Sequence, residues 1–469
     1  HGSTALMSRT AALARSQTYF DNGDFLRELT HRVAVKTESP DPDQRPELYR
    51  YLTDVLTSAL EPMGFSCAVY DNSHPAGCPF LVAHRHEADG LPTVMSYGHG
   101  DVVLGYDEQW RDGLSPWQVV VEGDRWFGRG TADNKGQHTI NLAALRHVLD
   151  ERGSLGFNAV LLFETGEECG SPGLKDFCEA NKDLFAADVF IASDGPRMQP
   201  GTPTVFMGSR GAFNFSMELT LREGGHHSGN WGGLLSNPGI IMAHALSTMV
   251  SSTGELLVDG WKAEPMSDSV RAAIAELSVG GDEDSPQIDP NWGEPGFTPE
   301  ERVFGSNTFE ILAFETGNPR NPVNAIPPSA TTHCHLRFVA GTDADDLLPA
   351  LRRHLDARGF ESIELIAGGI AMNATRLDPA HPWAQWAIGS VAATSGKEVA
   401  VLPNLGGSLP NDVFADVLGL PTIWVPHSYP GCSQHAPNEH VLGSVCNEAL
   451  QIMTGLWWDL GSGDTPGSN

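Results

Sequence analysis

Short apolar runs alternate with a helical pattern in the first half of the chain, and this alternation predicts a parallel α/β sheet. Residues 91–98, 158–166 and 187–195 are each a short apolar run that ends in turn-forming residues, which is typical of a buried strand. Between the first two runs, apolar residues recur at helical spacing over 140–148, and Gly153 ends the pattern. Strand, helix and strand in this order favour parallel strands that are joined by helices.

The pattern changes near residue 209. From there we predict strands and helices of a separate α+β layer, with an irregular stretch rich in Gly, Asp and Pro: strands 211–225, 332–341 and 361–368, helices 237–252 and 343–359, and the irregular stretch 279–301.

The α/β pattern returns after about residue 370, with a helix at 382–396 and a strand at 419–427. We therefore predict an α/β domain with a mostly parallel sheet flanked by helices. It is formed by residues 1–208 and 371–469, and an α+β domain at 209–370 interrupts it.

The composition and charge of the chain indicate which binding partners and which cell compartment to expect. The 469 residues include 29 basic and 59 acidic ones, for a net charge of −30. This charge repels phosphates and anionic lipids, so we expect neither a nucleic acid nor a membrane as partner. No apolar run of about 18 residues is present, and no signal pattern opens the chain. Seven scattered cysteines without a CxxC pair argue against a disulfide framework and favour a cytoplasmic location.

Residue types that bind metals follow the ends of the predicted strands. Ligand sites in open parallel sheets gather beyond the carboxyl ends of the strands, so residues far apart in sequence can converge there. Each residue alone also has a structural explanation, such as a His–Asp pair in the core, a solvated Glu pair or an N-cap. The full set comprises His99, Asp101, Asp133, Glu167, Glu168, Asp194 and His435.

Carboxylates that are brought together repel one another and resist desolvation, and a divalent cation offsets that cost. Imidazole and carboxylate ligands suit zinc, while cobalt or manganese fits the same ligands. The set is large enough for two metals about 3.5–4 Å apart, an arrangement that supports hydrolysis. Such chemistry also needs a free carboxylate as base, and the Glu167–Glu168 pair could supply one ligand and one base.

These motifs resemble those of the metallopeptidase family M20. The resemblance rests on "GHGDVV", "WFGRGTADNKGQ", "ETGEECGSPG", "ASDG" and the late His435, and it covers the chain from about residue 20 to 460. Within that family the chain looks most like the carnosinase-like dipeptidases, through "HHSGNWGG", "NAIPPSATTHCHLRFV" and "GGSLPNDVF". The resemblance implies a zinc-peptidase-like catalytic domain, with the inserted domain acting as lid and dimerisation domain.

The resemblance also implies a role for each residue of the metal site. His99 and Asp194 would bind one zinc, Glu168 and His435 would bind the other, and Asp133 would bridge the two. Glu167 would be the general base that activates the bridging water. Asp101 would hydrogen-bond the nitrogen of His99 that does not bind metal.

Further roles concern the substrate. The resemblance assigns His227 to a partner subunit's active site, where it would stabilise the oxyanion, and the adjacent His226 is the alternative. Arg337 and Ser408, with Gly407 beside it, match positions that hold a substrate carboxylate. Asn404 stands where related chains often carry a charged residue, which indicates an altered substrate preference.

The resulting hypothesis is a homodimeric two-zinc hydrolase that cleaves the amide bond of a small peptide or an N-acyl amino acid. Two alternatives stay open at this stage. One is another enzyme on the same scaffold, such as a dinuclear aminopeptidase, a deacylase or an N-carbamoyl amidohydrolase. The other is a metal-binding protein without enzymatic activity.

Overall fold

The computed structural model describes residues 2–281, 283, 285–368 and 372–467. Four helices open the chain, and a short π-helical segment at Tyr51–Leu56 joins the last two of them: α1 (Gly2–Asp21), α2 (Asp24–Val33), α3 (Arg45–Arg50) and α4 (Thr57–Leu60). Strands and two helices follow up to the predicted boundary: β1 (Ser66–Tyr70), β2 (Phe80–Arg85), β3 (Thr93–His99), β4 (Val120–Glu122), β5 (Arg125–Phe127), α5 (Lys135–Arg152), β6 (Asn158–Glu164), α6 (Leu174–Ala180), β7 (Val189–Ala192) and β8 (Thr204–Phe206).

The second part of the chain carries the elements β9 (Gly211–Thr220), β10 (His226–His227), α7 (Ser228–Trp231), α8 (Pro238–Met249), α9 (Asp268–Ala275), α10 (Pro299–Phe304), β11 (Thr308–Thr316), β12 (Ala325–Ile326), β13 (Ser329–Phe338), α11 (Leu347–Asp356) and β14 (Glu364–Ala367). The last part carries α12 (Pro382–Ser395), β15 (Ala400–Leu402), β16 (Thr422–Trp424), β17 (His440–Leu442) and α13 (Gly443–Leu460).

An eight-stranded sheet forms the centre of the α/β part. Its strand order is β1-β2-β6-β3-β7-β16-β8-β15. The four pairings β6–β3, β3–β7, β7–β16 and β8–β15 are parallel, and the other three are antiparallel. The predicted α/β class with a mostly parallel sheet is therefore confirmed, with antiparallel strands at one edge and next to the other.

Helices cover both faces of this sheet, and strand β6 shows why. All its residues are buried, and its side chains alternate between two hydrophobic clusters. Leu161 and Phe163 belong to the cluster with α1, α5 and α13, whereas Val160 and Leu162 belong to the opposite cluster with α6 and Trp424. A strand buried on both faces is apolar throughout, which is the pattern that the sequence shows.

A second, antiparallel sheet lies within the predicted insertion, and we call it the lid sheet. Its order is β11-β13-β9-β14. One face packs against α8 and α11, because alternate residues of β13 join their apolar side chains in a third cluster. The helices α9 and α10 behave differently, since Val270, Ile274 and Phe304 pack into the cluster on the α/β sheet. The predicted boundaries of the insertion at 209 and 370 stay a prediction.

A small third sheet links two loops of the α/β part. The strands β17, β5 and β4 form a three-stranded antiparallel sheet that ties the loop before α13 to the region before α5. All seven cysteines are free, as their scattered spacing predicts. Within the described residues, no helix combines the length and the apolar character that crossing a membrane requires.

A substitution in the centre of the sheet tests this account of the core. Leu162 is fully buried, so Leu162→Ala should lower the free energy of unfolding by about 2–5 kcal/mol, because it removes apolar contacts and leaves a cavity. Val121 is 44% exposed, and Val121→Ala should change that free energy by no more than about 0.5 kcal/mol. Urea unfolding of both variants measures the difference, and equal losses would contradict the packing described.

Candidate metal centre

The ends of three neighbouring parallel strands place the predicted ligands together. The strands lie in the order β6-β3-β7, so β3 is central. His99 is the last residue of β3, Asp194 follows the end of β7 by two residues, and Glu167 and Glu168 lie in a short turn just after β6. Gly100 follows His99 directly and packs closely against the Tyr51 ring. A Cβ at this position would lie 2.6 Å from that ring, so the close packing requires glycine. The carboxyl ends of parallel strands meet at one edge, which explains the convergence.

His99 occupies the middle of the cluster and is fully buried. Its Nε2 lies 2.8 Å from Asp133 Oδ1, 3.4 Å from Asp194 Oδ2 and 3.5 Å from Glu167 Oε2. Its Nδ1 donates to the backbone carbonyl of Asp101 at 3.0 Å, and the Asp101 carboxylate lies 3.3 Å away. The hydrogen bond to a carbonyl places a proton on Nδ1 and leaves Nε2 of the neutral ring free to bind a metal.

Asp101 holds the turn that carries the Glu pair. Its buried carboxylate accepts hydrogen bonds from the backbone amides of Glu167 and Glu168, at 3.2 and 3.0 Å, and from Ser39 Oγ at 2.6 Å. Asp101 therefore contacts both His99 and the backbone of the Glu pair. This arrangement fixes the direction in which the two Glu side chains leave the turn.

Asp133 lies where the loop after β5 enters α5, and a buried carboxylate from the far end of the chain orders that loop. Glu439 accepts from the backbone amides of Gly130, Ala132 and Asp133 and pairs with Arg129 at 2.9 Å. The peptide bond between Asp133 and the next residue is cis. Because three backbone amides of this loop donate to one carboxylate, the conformation of the loop depends on Glu439.

His435 reaches the cluster from the loop between β16 and β17. Its Nε2 lies 2.9 Å from Asp133 Oδ2 and 2.9 Å from Glu168 Oε2, so it faces the side of Asp133 opposite to His99. The residue has a left-handed backbone with φ of 64°, an uncommon conformation for a side chain other than Gly or Asn. The carbonyl of the next residue, Ala436, accepts from Arg129 and holds the loop in place.

The electrostatics of the cluster favour a bound cation. Burial and then the neighbouring Glu168 carboxylate raise the pKa of Glu167 well above its ordinary value. Burial and then Asp133 raise the pKa of Glu168 well above its usual range and also raise that of Asp194. Burial alone would lower the pKa of His99, but the Glu167 and Asp133 carboxylates outweigh it and raise that pKa well above its normal value.

The residues present fit a metal centre. His99, Asp133, Glu167 and Glu168 offer ligand atoms that all lie within 4.8 Å of one another. In addition, Asp194 Oδ2 and Glu168 Oε1 are buried without a hydrogen-bond partner among the residues that the structure describes. Buried carboxylate oxygens without a donor are costly, and a divalent cation would satisfy them.

The predicted substrate residues lie apart from this cluster in the single chain. The His227 ring is exposed, and its recorded hydrogen bond is with the backbone amide of Gly229. Arg337 donates to Ser408 Oγ at 2.7 Å on the lid side, and Gly407 and Arg337 line a cavity there. The structure thus brings together all seven residues predicted for the metal site, with His99 at their centre. It places His227 and the Arg337–Ser408 pair in two other regions.

Reasoning from the sequence missed two residues that organise the centre. Glu439 is one, although it stands in the "HAPNEH" stretch that contains His435. The other is Asn134, whose side chain accepts from the His99 backbone amide at 3.2 Å and donates to the Ser193 carbonyl at 2.8 Å. It therefore links the ends of β3 and β7. Both residues act on backbone groups, which leave no pattern in the sequence.

Known proteins are similar to this chain in sequence and in fold. The model of peptidase family M20/M25/M40 matches residues 95–459. The cysteinylglycine-S-conjugate dipeptidase of Corynebacterium striatum is 25% identical over 369 residues, covering 76% of this chain and 77% of that protein. The Beta-Ala-His dipeptidase of Homo sapiens is 31% identical over 268 residues, covering 53% of this chain and 52% of that protein, about half its length. The structure of the dipeptidase Dug1p of Saccharomyces cerevisiae gives a TM-score of 0.80 at 19% identity, covering 97% and 99% of the two chains.

The chain therefore belongs to peptidase family M20/M25/M40. Membership in this family and the similarity to known dipeptidases show that the protein is a metal-dependent enzyme that hydrolyses peptide amide bonds. The family, the fold class and the class of reaction that the motifs predict are confirmed.

A substitution at Asp101 tests whether this residue binds the metal itself or only orients the residues that do. Asp101→Asn should weaken metal binding by about 10–100-fold without abolishing it, because the amide cannot accept from both backbone amides of the Glu turn. Zinc competition with a chelator measures the affinity, and Asp112→Asn at an exposed position is the control. Metal loss as complete as in Asp194→Ala would place Asp101 among the ligands instead.

Proposed function

We propose that the protein is a two-zinc dipeptidase that acts on small peptides with a free C-terminal carboxylate, as a homodimer. The observation that carries the metal assignment is the position of Asp133, whose two oxygens lie 2.8 and 2.9 Å from the Nε2 atoms of His99 and His435. One carboxylate between two imidazoles, with Asp194 beside the first and Glu168 beside the second, supports a pair of sites with a shared ligand.

The residues would divide the work as follows. Two divalent ions held by these ligands would polarise the scissile carbonyl and lower the pKa of the attacking water. Glu167 lies in the same turn as Glu168 but reaches toward His99, and we assign it as the base that accepts the proton of that water. The protonated Glu167 would then give the proton to the leaving amine.

Arg337 supports a substrate that carries a carboxylate. Its guanidinium donates to Ser408 Oγ, which in turn donates to the backbone carbonyl of Arg210 at 2.7 Å. This chain of hydrogen bonds fixes one end of the Arg337 fork, and among the described residues its other N–H groups have no hydrogen-bond partner and can bind a ligand. A guanidinium recognises a carboxylate by two parallel hydrogen bonds, so Arg337 suits the C-terminal group of a peptide.

The exposed position of His227 supports a role at the active site of a second subunit. Its Nδ1 accepts from the Gly229 amide at 3.0 Å, so the neutral ring carries its proton on Nε2 and can donate a hydrogen bond elsewhere. The adjacent His226 is less exposed and packs edge-on against Trp231. We therefore favour His227 over His226 as the donor to the oxyanion.

An apolar edge of the lid sheet supports the homodimer. Strand β11 is an edge strand in the sheet order, and it exposes Ile311, Leu312 and Phe314, with Leu312 at 58%. Ile240 on the neighbouring helix α8 is 60% exposed. A long apolar edge strand invites pairing with another chain, and a second copy that pairs there would cover it.

Glu167→Gln tests the base. The amide keeps the shape of the side chain but cannot accept the proton, so turnover of a dipeptide should fall by at least about 10²–10⁴-fold while the zinc content stays at the wild-type value. Stopped assays of dipeptide hydrolysis and elemental analysis of the same preparations give the two readings.

Glu179→Gln, on the exposed side of α6, is the matched control and should leave both readings unchanged. Turnover of the Glu167 variant near the wild-type rate would remove Glu167 from the role of base.

Mixed dimers test the assignment of His227. His227→Ala and Asp133→Ala should each abolish most activity as homodimers, since one lacks the donor and the other lacks the bridging ligand. After subunit exchange, one of the two active sites in a heterodimer has a native metal centre and a native His227. Activity should therefore recover to as much as about a quarter of the wild-type value in an equimolar mixture.

Native mass spectrometry should show that the subunits have exchanged. Exchange without recovery of activity would contradict a role of His227 in the other subunit.

A further inference from the structure

A cavity of about 700 Å³ lies between the lid sheet and the α/β part, and one end of it borders the segment that follows Asp194. Its wall includes Pro196 and Leu405 near the end of β7, and a Cβ on Gly195 would lie 3.2 Å from the Leu405 side chain. Since Gly195 follows Asp194 directly, one end of the cavity is adjacent to a proposed ligand. Cavities of this size take small organic molecules.

Two arginines meet at one corner of the cavity. Arg210 is 6% exposed, and it donates to the carbonyls of Gly406 and Ser306, while Arg337 donates to Ser408 Oγ. These recorded bonds all go to neutral oxygens, and no ion pair with a carboxylate joins either guanidinium within the described part of the chain. Burial and then the nearby Arg337 charge lower the pKa of Arg210 to about 10, against a smaller opposing effect of the Glu310 carboxylate. Two desolvated cations side by side favour an anionic ligand.

Much of the remaining wall is apolar, although the carboxylates of Asp289, Glu294 and Glu310 also line it, and part of it comes from the irregular stretch after α9. Ile288 and Trp292 line the cavity together with Val303, Phe304 and Leu405. Arg302 holds this stretch by donating to the carbonyls of Pro290 and Glu294, each at 3.1 Å. Trp292 is thus kept in place although it is 51% exposed, and Ile288 is 43% exposed. Apolar side chains that are held at a cavity without being covered mark a binding surface.

We infer that Arg210 joins Arg337 in holding the C-terminal carboxylate of the substrate, and that the cavity beside them selects a bulky apolar side chain on the same residue. The reason is covalent geometry, because the carboxyl carbon and the side chain are attached to the same Cα. With the carboxylate at the arginine corner, that side chain lies in the cavity whose wall includes Ile288 and Trp292. The inference rests on the proposed dipeptidase function and defines its substrate class.

The test compares alanyl-phenylalanine with alanyl-glycine as substrates of the zinc-loaded enzyme. The wild type should prefer alanyl-phenylalanine by about tenfold or more in kcat/KM, since burying an aromatic side chain contributes at least that factor. Trp292→Ala and Ile288→Ala should reduce this preference, because each should raise KM for alanyl-phenylalanine more than KM for alanyl-glycine.

Val121→Ala is the matched control for Ile288→Ala, because Val121 is an aliphatic residue that is 44% exposed and lies outside the cavity. A wild type that prefers alanyl-glycine, or a preference that neither variant changes, would overturn the inference.

The arginine corner has its own test. Arg210→Lys keeps the charge but loses the fork, and Arg337→Lys does the same for the partner residue. Each should lower the ratio of kcat/KM for alanyl-phenylalanine to that for its C-terminal amide by about tenfold, because the amide carries no charge to recognise. A ratio that changes for Arg337→Lys and stays constant for a folded Arg210→Lys would remove Arg210 from the site.

Direct binding distinguishes a failure of this inference from a failure of the proposed function. If the wild type hydrolyses neither dipeptide, the dipeptidase proposal fails, and calorimetric titration with phenylalanine and glycine then tests the cavity alone. Tighter binding of phenylalanine that Trp292→Ala abolishes would support the cavity as a side-chain site. Equal binding of the two amino acids would overturn it.

Discussion

Four buried carboxylates within one small volume are the constraint on which the functional half of this structure depends. Asp133, Glu167, Glu168 and Asp194 repel one another, and burial further disfavours their charged forms, as the raised pKa values of the last three indicate. Two imidazoles, at His99 and His435, offset only part of this cost. The arrangement is favourable when cations occupy the space between the oxygens, and the backbone around it is built to keep the oxygens there.

Two other buried carboxylates, those of Asp101 and Glu439, hold the backbone around the cluster in place. Asp101 accepts hydrogen bonds from the backbone amides of the turn that carries Glu167 and Glu168. Glu439 accepts hydrogen bonds from backbone amides of the loop before α5. Both of these ligand loops are therefore tied to a charge that is not itself a proposed ligand. Because such charge-assisted bonds are strong in a buried site, they hold these two loops in place beyond the ends of the strands.

The sequence predicts the central strands and the residues at their ends for a physical reason. Strands buried on both faces, such as β6, are continuous apolar runs, and polar residues directly after them stand out. The same reasoning does not predict the edge strand β1, none of whose residues is fully buried and whose pattern is therefore weaker. It also misses Asn134, Glu439 and Arg210, because each of them acts by hydrogen bonds to backbone groups that no spacing in the sequence reveals. The cavity wall near Trp292 lies in a stretch that reads only as irregular.

The central claim is that the cluster around His99 holds two divalent ions per chain, and calorimetric titration of zinc into chelator-treated protein tests it most directly. The account predicts two zinc ions per wild-type chain, with the binding of both weakened in Asp133→Ala, because that side chain faces both imidazoles. Fewer than about one zinc per folded wild-type chain, or two ions bound unchanged in Asp133→Ala, would contradict it.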